Sequence, residues 1–402
     1  MKRKLLLTTL SVALLASVAA SCTPTVNDER QRTAIEEAQG MTYEELLAKA
    51  KEEVGDGEVN VFGNSSALDA ALVNFQAETG IRIKNNKLGD VALYDKLFYT
   101  IGNGSYSADM VLLQDGNSLQ TKMINPGYLL NYVPKDYVDV LDEEDKDPLA
   151  GVYLNKVFMY NNTDGTDQGA ITDYLTNVWQ LAGTSADANH ISGLSFKDAR
   201  QELVNMNFLI MLTSDEWVEK LTVAYKSYYG VDYVAEPGYI NIGYKWIEEF
   251  LNASGRHSSD GTATKDAAKG ASKSMVYANY NKLKDCKQEG VGREDPLNLT
   301  TAIMENEDLE GFGGFVYKMY TQIARNAKYP FAACALANYI LSTEGFGQAW
   351  GGLSGYYSPN PANEIAEGDK PLSWWKSNCV IEDPKYVSSN YFDISEFIIT
   401  KS

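Results

Sequence analysis

Two short polar clusters in this chain have the residue types needed to hold a small ligand. Asn64-Ser65-Ser66 and Asp115-Gly116-Asn117 each follow an apolar run of strand type, and the first opens a stretch with helical spacing. Hydroxyls, amides and the free backbone N–H groups of a helix start can grip an anion or a carboxylate. A plain helix cap is the competing role for Ser65 and Ser66. The two histidines, His190 and His257, stand in no motif, so neither a Ser/His/Asp arrangement nor a zinc site is legible. The chain therefore reads as a binding protein without a cofactor, not an enzyme, and no metal ligands are assigned.

The elements that must position these clusters alternate. Glu58 to Phe62 has strand alternation, Ala67 to Thr79 has helical periodicity ended by Gly80, and Ile81 to Ile83 is a further strand. Tyr94 to Ile101 reads as a helix, Ala108 to Leu113 as a buried strand, and Ser118 to Ile124 as a helix start. Strands alternating with helices predict an α/β fold with a mostly parallel sheet flanked by helices. In such sheets ligands bind beyond the carboxyl ends of the strands, where both polar clusters fall.

Val152 to Tyr160 is β-rich and breaks at Asn161-Asn162-Thr163-Asp164-Gly165, which predicts a change of domain. The middle of the chain predicts helices over Asn207 to Tyr229 and Gly243 to Leu251, with a loop region from Ala253 to Ser274. Gly311 to Tyr317 then restores a strand, and Pro330 to Leu341 a core helix. With 402 residues, two to three domains are expected. The formal charge of −19 would repel a phosphate backbone, which excludes nucleic acid as a partner.

Lys2, Arg3 and Lys4 precede an apolar core from Leu5 to Ala20, the order of an export signal. Ala19-Ala20-Ser21 before Cys22 resembles the lipobox of bacterial lipoproteins, which implies acylation of Cys22 and a membrane anchor. Tyr43 to Lys51 predicts a helix packed on the first domain. The other cysteines, Cys286, Cys334 and Cys379, are too far apart for a zinc knuckle or a Cys-x-x-Cys pair and read as buried thiols.

The order of these segments resembles the extracellular solute-binding proteins of bacterial ABC importers. The likeness is carried by the strand Val59 to Phe62, Asn74-Phe75 with Thr79-Gly80-Ile81, Ser107 to Val111, Pro126-Gly127-Tyr128-Leu129 and Tyr160-Asn161-Asn162. It continues through Asn326-Ala327, Leu341 to Gly345 and Gly355 to Pro361. It implies the two-lobed type 2 periplasmic-binding-protein fold, nearest the ferric-iron and small-anion branch. It also implies a monomer that passes its ligand to a permease and ATPase at the periplasmic or outer cell face.

On this reading 1–21 is the signal peptide, 22–56 a tether and N-terminal helix, 57–155 and 320–402 the first lobe, and 156–319 the second. The ligand residues implied are Asn64, Ser65, Ser66, Asp115 and Gly116 in the first lobe. Asn161, Asn205, Asn207 and Tyr280 are their counterparts, with Asn205-Met206-Asn207 opening the helix that resembles the ligand-facing one. Iron binders use neighbouring tyrosines, since phenolate is a hard ligand. Here Tyr277 and Tyr280 are three apart, while the adjacent pairs Tyr228-Tyr229 and Tyr356-Tyr357 fall in a helix and a late loop. Ferric iron or a small anion is the ligand the resemblance implies, with a sugar or a polyamine as the alternative. For these, some of the 26 tyrosines and 6 tryptophans could serve as stacking platforms while most pack. An enzyme on the same architecture and an acidic surface adhesin are the further alternatives.

Overall fold

A computed structural model describes residues 28–161, 174–187, 189–270, 273–283, 286 and 299–401. The expected signal segment, Cys22 and the break at 162–165 lie outside these residues.

Among the described residues a single mixed sheet of 12 strands organises the chain. Its two longest strands, β5 (Ala150–Asn161) and β10 (Gly314–Ala324), are buried at every position and pair antiparallel at its centre. Strands covered on both faces read as near-continuous apolar runs, and both sequences do so apart from a few polar interruptions. The short strands β4 (Leu129–Leu130) and β12 (Val380–Ile381) pair with β10, and β9 (Leu299–Thr301) and β11 (Tyr356–Tyr357) pair with β5. On one side β10 pairs antiparallel with β3 (Met110–Leu113), which continues in parallel to β1 (Val59–Gly63) and β2 (Ile83–Lys87). On the other, β5 pairs antiparallel with β8 (Met275–Asn279), which continues in parallel to β6 (Ser195–Lys197) and β7 (Gly255–His257).

This register sets the two halves face to face. Leu113, the carboxyl end of β3, lies opposite Tyr320, and Tyr320 lies opposite Ala150 at the start of β5. Asn279, the carboxyl end of β8, lies opposite Lys156, half-way along β5. Both sets of parallel strands therefore point their carboxyl ends at the middle of the two long strands. The expected boundaries at 155/156 and 319/320 fall inside β5 and β10, which the two halves share.

Several sequence expectations need correction. The expected helix over Asn207 to Tyr229 is two helices, Leu203–Met211 and Asp215–Tyr229. At the break Thr213 Oγ1 and Ser214 Oγ hydrogen-bond the carbonyls of Ile210 and Met211, the hydroxyl-to-backbone competition that interrupts helices. The expected loop from Ala253 to Ser274 contains β7 and the helix Asp260–Lys269, capped by Ser259 Oγ and buried through Ala263, Thr264, Ala267 and Ala268. Tyr356–Tyr357 is not a loop but a short strand paired with β5. The mostly parallel expectation holds outside the centre. At the centre β5 and β10 run antiparallel to each other, to β8 and to β3, while the short strand β12 pairs with β10 in parallel.

The helices Glu29–Gln39 and Tyr43–Val54 pack on the core helix Pro330–Leu341. The last helix, Pro384–Lys401, packs against Gly116–Ser118 on one side and against Leu203–Met211 and Ile242–Ala253 on the other. It clasps both halves from outside the sheet. Cys334 and Cys379 are buried thiols, as expected, whereas the Cys286 thiol is half-buried. No helix among the described residues is long and apolar enough to cross a membrane.

Candidate functional site

The carboxyl ends of β1 and β3 deliver the first-half cluster. Asn64, just past β1, donates through Nδ2 to Asp90 Oδ1, and Gln114 Nε2, just past β3, donates to Asp90 Oδ2 at 2.6 Å. Asp90 is the first residue of the helix Asp90–Gly102, where a negative charge is favoured by the free N–H groups. Burial nevertheless pushes its carboxyl up to about 7, against the Gln114 hydrogen bond and with help from Glu202 and Asp115 nearby. Ser65 Oγ is a buried atom without a hydrogen-bond partner, and Ser66 is exposed. Neither serine caps the helix Leu68–Thr79, whose cap position is Ala67 with no side-chain hydrogen bond. The capping role expected for them is thus not the one they have.

Asp115 has φ of 71°, a left-handed backbone that few non-glycine residues adopt and that often marks a functional turn. Its buried side chain accepts from Asn207 Nδ2 at 2.8 Å. The same nitrogen donates to Glu382 Oε1 at 2.8 Å, and Glu382 also accepts from Gly116 N and Tyr320 OH. One amide of the second half therefore engages two carboxyl groups that pack with the first. Burial raises both, Glu382 to about 7. Gly116 is needed for close approach, since a Cβ there would meet Pro384 at 2.9 Å.

The second half contributes a charge cluster around Lys156, which is fully buried on β5. Its Nζ lies 2.9 Å from Asn205 Oδ1, 3.0 Å from Asp260 Oδ2 and 3.3 Å from Glu202 Oε1. Lys197 pairs with the other Glu202 oxygen, Oε2. Burial alone would lower the Lys156 ammonium and raise the Glu202 carboxyl, but the opposite charges win and shift both the other way. Asn279 Nδ2 reaches Asp260 Oδ2 at 3.2 Å and its Oδ1 accepts from Tyr317 OH at 2.7 Å. His257, at the end of β7, has both ring nitrogens buried and unpartnered; burial lowers its pKa, with Asp260 acting against that.

The structure thus brings Asn64, Asp115, Gly116, Asn205 and Asn207 to the facing strand ends, with Ser65 and Ser66 directly after β1. It does not bring Asn161 there. Asn161 Nδ2 donates to the carbonyls of Ala267, Ala268 and Gly270, tying down the end of the helix Asp260–Lys269. Tyr280 packs its ring on Trp375, centroids 5.4 Å apart, and Tyr277 stacks on Phe208 inside the core. The largest indoles serve packing too: Trp179, Trp246, Trp350 and Trp375 are fully buried.

Asp90, Lys156, Glu202, Asp260 and Glu382 were not anticipated. A signal existed for Lys156, a charge inside the apolar run Leu154-Asn155-Lys156-Val157-Phe158. A charge in such a strand must find partners or be expelled.

Five carboxyl groups, Asp90, Asp115, Glu202, Asp260 and Glu382, and two lysines, Lys156 and Lys197, thus lie about the facing strand ends, with Glu202 and Asp260 the two that pair with the lysines. Beside the Glu382 wall lies a cavity of about 480 Å³ lined by Met211, Trp217, Tyr320 and Tyr386. A groove of about 930 Å³ between the two N-terminal helices and Phe331 lies apart from these strand ends.

Two halves of α/β structure, joined by long central strands and facing each other with their strand ends, define the type 2 periplasmic-binding-protein fold, and this chain has it. No family model matches the sequence, and no curated protein matches it. Solved structures do. Iron-bound HitA from Pseudomonas aeruginosa is 16% identical with a TM-score of 0.62, covering 86% of this chain and 99% of its own. The ferric binding protein from Campylobacter jejuni is 15% identical with a TM-score of 0.60, over 86% and 99%. The Atu4243–GABA receptor is 14% identical with a TM-score of 0.53, over 86% and 97%. The solved structures it resembles are binding proteins.

Proposed function

We propose that this protein is the substrate-binding component of an ABC importer, which captures a small solute between two lobes by hinge closure and delivers it to a membrane permease and its ATPase. The observation that carries the reading is the contact of Asn207 with Asp115. It joins the strand ends of the two halves directly, as a cleft closing on a ligand requires. On this reading the first lobe comprises 57–155 and 320–402 and the second 156–319, with β5 and β10 as the hinge strands. The protein acts as a monomer, binds without catalysing, and uses Asn64, Ser65, Ser66, Asp115 and Gly116 against Asn205 and Asn207. Tyr280, directly after β8, packs on Trp375 of the first lobe, and Asn161 ties down the helix Asp260–Lys269 of the second.

Carboxyl groups outnumber lysines five to two at the strand ends, which favours a ligand bearing positive charge over a small anion. Asp90 and Glu382, whose carboxyls sit near 7, would ionise fully once such a ligand arrived. A thermal-shift screen over ferric iron, phosphonates, polyamines, amino acids and sugars tests this. A ligand at a hundred times its Kd adds about 2.7 kcal/mol of stability. A cationic or zwitterionic solute is expected to raise Tm. A response to anions alone would overturn the charge argument.

Acylated Cys22 would hold the mature chain at the periplasmic or outer face of a membrane. Mass spectrometry of the mature amino terminus is expected to find a lipid-modified Cys22; an unmodified residue further on would refute the anchor.

A further inference from the structure

Lys156 occupies an unusual position. Its ammonium lies within 2.9 to 3.3 Å of one amide and two carboxylate oxygens, contributed by Asn205, Asp260 and Glu202, and its side chain has no exposed surface. The three residues come from two helix starts: Glu202 precedes the helix Leu203–Met211, Asn205 lies in its first turn, and Asp260 begins the helix Asp260–Lys269. Three converging oxygens, two of them anionic, are the kind of donor set that hard metal ions take. In this protein the centre of the set is filled by a side chain.

We infer that Lys156 is a specificity-determining residue: a tethered cation that fills the oxygen cage of the second lobe, keeps metal ions out of it, and so restricts the cleft to organic solutes with an ammonium group. This rests on the solute-binding reading and names the ligand class of the same site. Two physical arguments support it. A metal entering the cage would displace an ammonium that has no other anion in contact, leaving a buried unpaired charge. The carboxylate offered from the opposite side, Asp90, is held by neutral partners, the amides of Asn64 and Gln114. A carboxyl group held by neutral amides suits an ammonium, which carries a single charge and donates hydrogen bonds. A trivalent ion needs several anionic oxygens at once, and those of Glu202 are taken by Lys156 and Lys197.

Terbium, a hard trivalent ion whose emission is excited through nearby tyrosine, tests the cage without any knowledge of the natural ligand. Tyr277, on β8 two residues before Asn279, whose Nδ2 reaches Asp260, is the sensitising ring. In the wild-type protein any terbium emission is expected to be weak and unchanged by Glu202→Gln, the behaviour of loose association with clustered surface acids such as Asp142 and Glu144. Lys156→Ala is expected to gain a saturable site at least tenfold tighter, and Lys156→Ala/Glu202→Gln to lose it again. Should Lys156→Ala melt below the assay temperature, terbium is expected to raise its Tm and not that of the wild type.

The inference is overturned if wild-type protein binds terbium as tightly as the variant and Glu202→Gln abolishes that binding. It is equally overturned if Lys156→Ala gains neither emission nor Tm. These outcomes concern the cage alone. Failure of the solute-binding reading would instead appear as a wild-type protein whose Tm no small solute raises.

Discussion

Asn207 and Asp115, 92 residues apart in sequence, meet through a 2.8 Å hydrogen bond in which an amide of the second half holds a carboxyl group of the first. Both side chains are buried, so the bond cannot be exchanged for water without parting the two halves. It is the contact that a cleft would break on opening. The same amide reaches Glu382, which the last helix and β12 (Val380–Ile381) bring to the facing strand ends. The contact between the halves and the position of the C-terminal segment are thereby joined in one side chain.

Removing this amide is expected to cost stability and loosen the cleft together. Asn207→Ala takes one donor from each of two buried carboxyl groups, Asp115 and Glu382, while Gly116 N and Tyr320 OH still reach Glu382, so a loss of about 1–3 kcal/mol is expected. Chemical denaturation reads the first effect, and small-angle scattering reads the second as a larger radius of gyration. A variant as stable and as compact as the parent would show that the contact does not hold the halves together.

Stability is expected to fall as pH rises from about 4 to about 7. Asp90 and Glu382 keep their protons up to about 7 in the folded chain, whereas unfolded carboxyls lose them near pH 4. Between these values the folded state binds more protons than the unfolded one, so deprotonation favours unfolding, and the effect levels off above pH 7. Glu202, held low by Lys156 and Lys197 despite its burial, acts oppositely: its contribution is lost only as pH drops below the usual carboxyl range. Each tenfold change in proton affinity is worth about 1.4 kcal/mol. Denaturation of Asp90→Asn at pH 4.5 and 7.5 is expected to show a flatter profile than the parent; an unchanged slope would remove Asp90 from the account.

Asn161→Ala is expected to destabilise the protein without touching ligand affinity. Its side chain satisfies the carbonyls at the end of the helix Asp260–Lys269, and leaving such groups unpaired costs about 1–3 kcal/mol. A lowered Tm beside unaltered calorimetric affinity for the solute found by screening fits this role. Affinity lost at unchanged Tm would return Asn161 to the cleft.

Ser65→Ala is expected to behave the other way. Its hydroxyl does not cap the helix Leu68–Thr79 and has no hydrogen-bond partner among the described residues, so its removal should alter stability by no more than about 0.5 kcal/mol. If it waits for a ligand atom, the affinity falls roughly five- to a hundredfold. Titration calorimetry beside a melting curve checks both, and a stability loss without an affinity loss would assign Ser65 to the scaffold.

Local patterns in the chain were enough to predict the alternation of strands and helices, because the periods of Val59–Gly63, Leu68–Thr79, Met110–Leu113 and Pro330–Leu341 arise from which side of each element faces the core. They were enough as well to place Asn64 and Asp115 after strand ends, since polar residues that close an apolar run lie there by construction. They could not distinguish Asn161 from Asn205 and Asn207. All three are buried asparagines, and only the tertiary structure decides whether an amide meets helix-end carbonyls, a lysine or a carboxyl from the other half of the sheet.

The short elements Gly255–His257 and Tyr356–Tyr357 were equally invisible, because two or three residues carry no period and owe their strand form to the neighbour they pair with. The charges that define the site were hidden for the same reason. Lys156 in an apolar strand signals only that partners must exist. That these are Asn205, Glu202 and Asp260, 46 to 104 positions further on, follows from the antiparallel pairing of β5 with β8, a long-range choice made by the whole core.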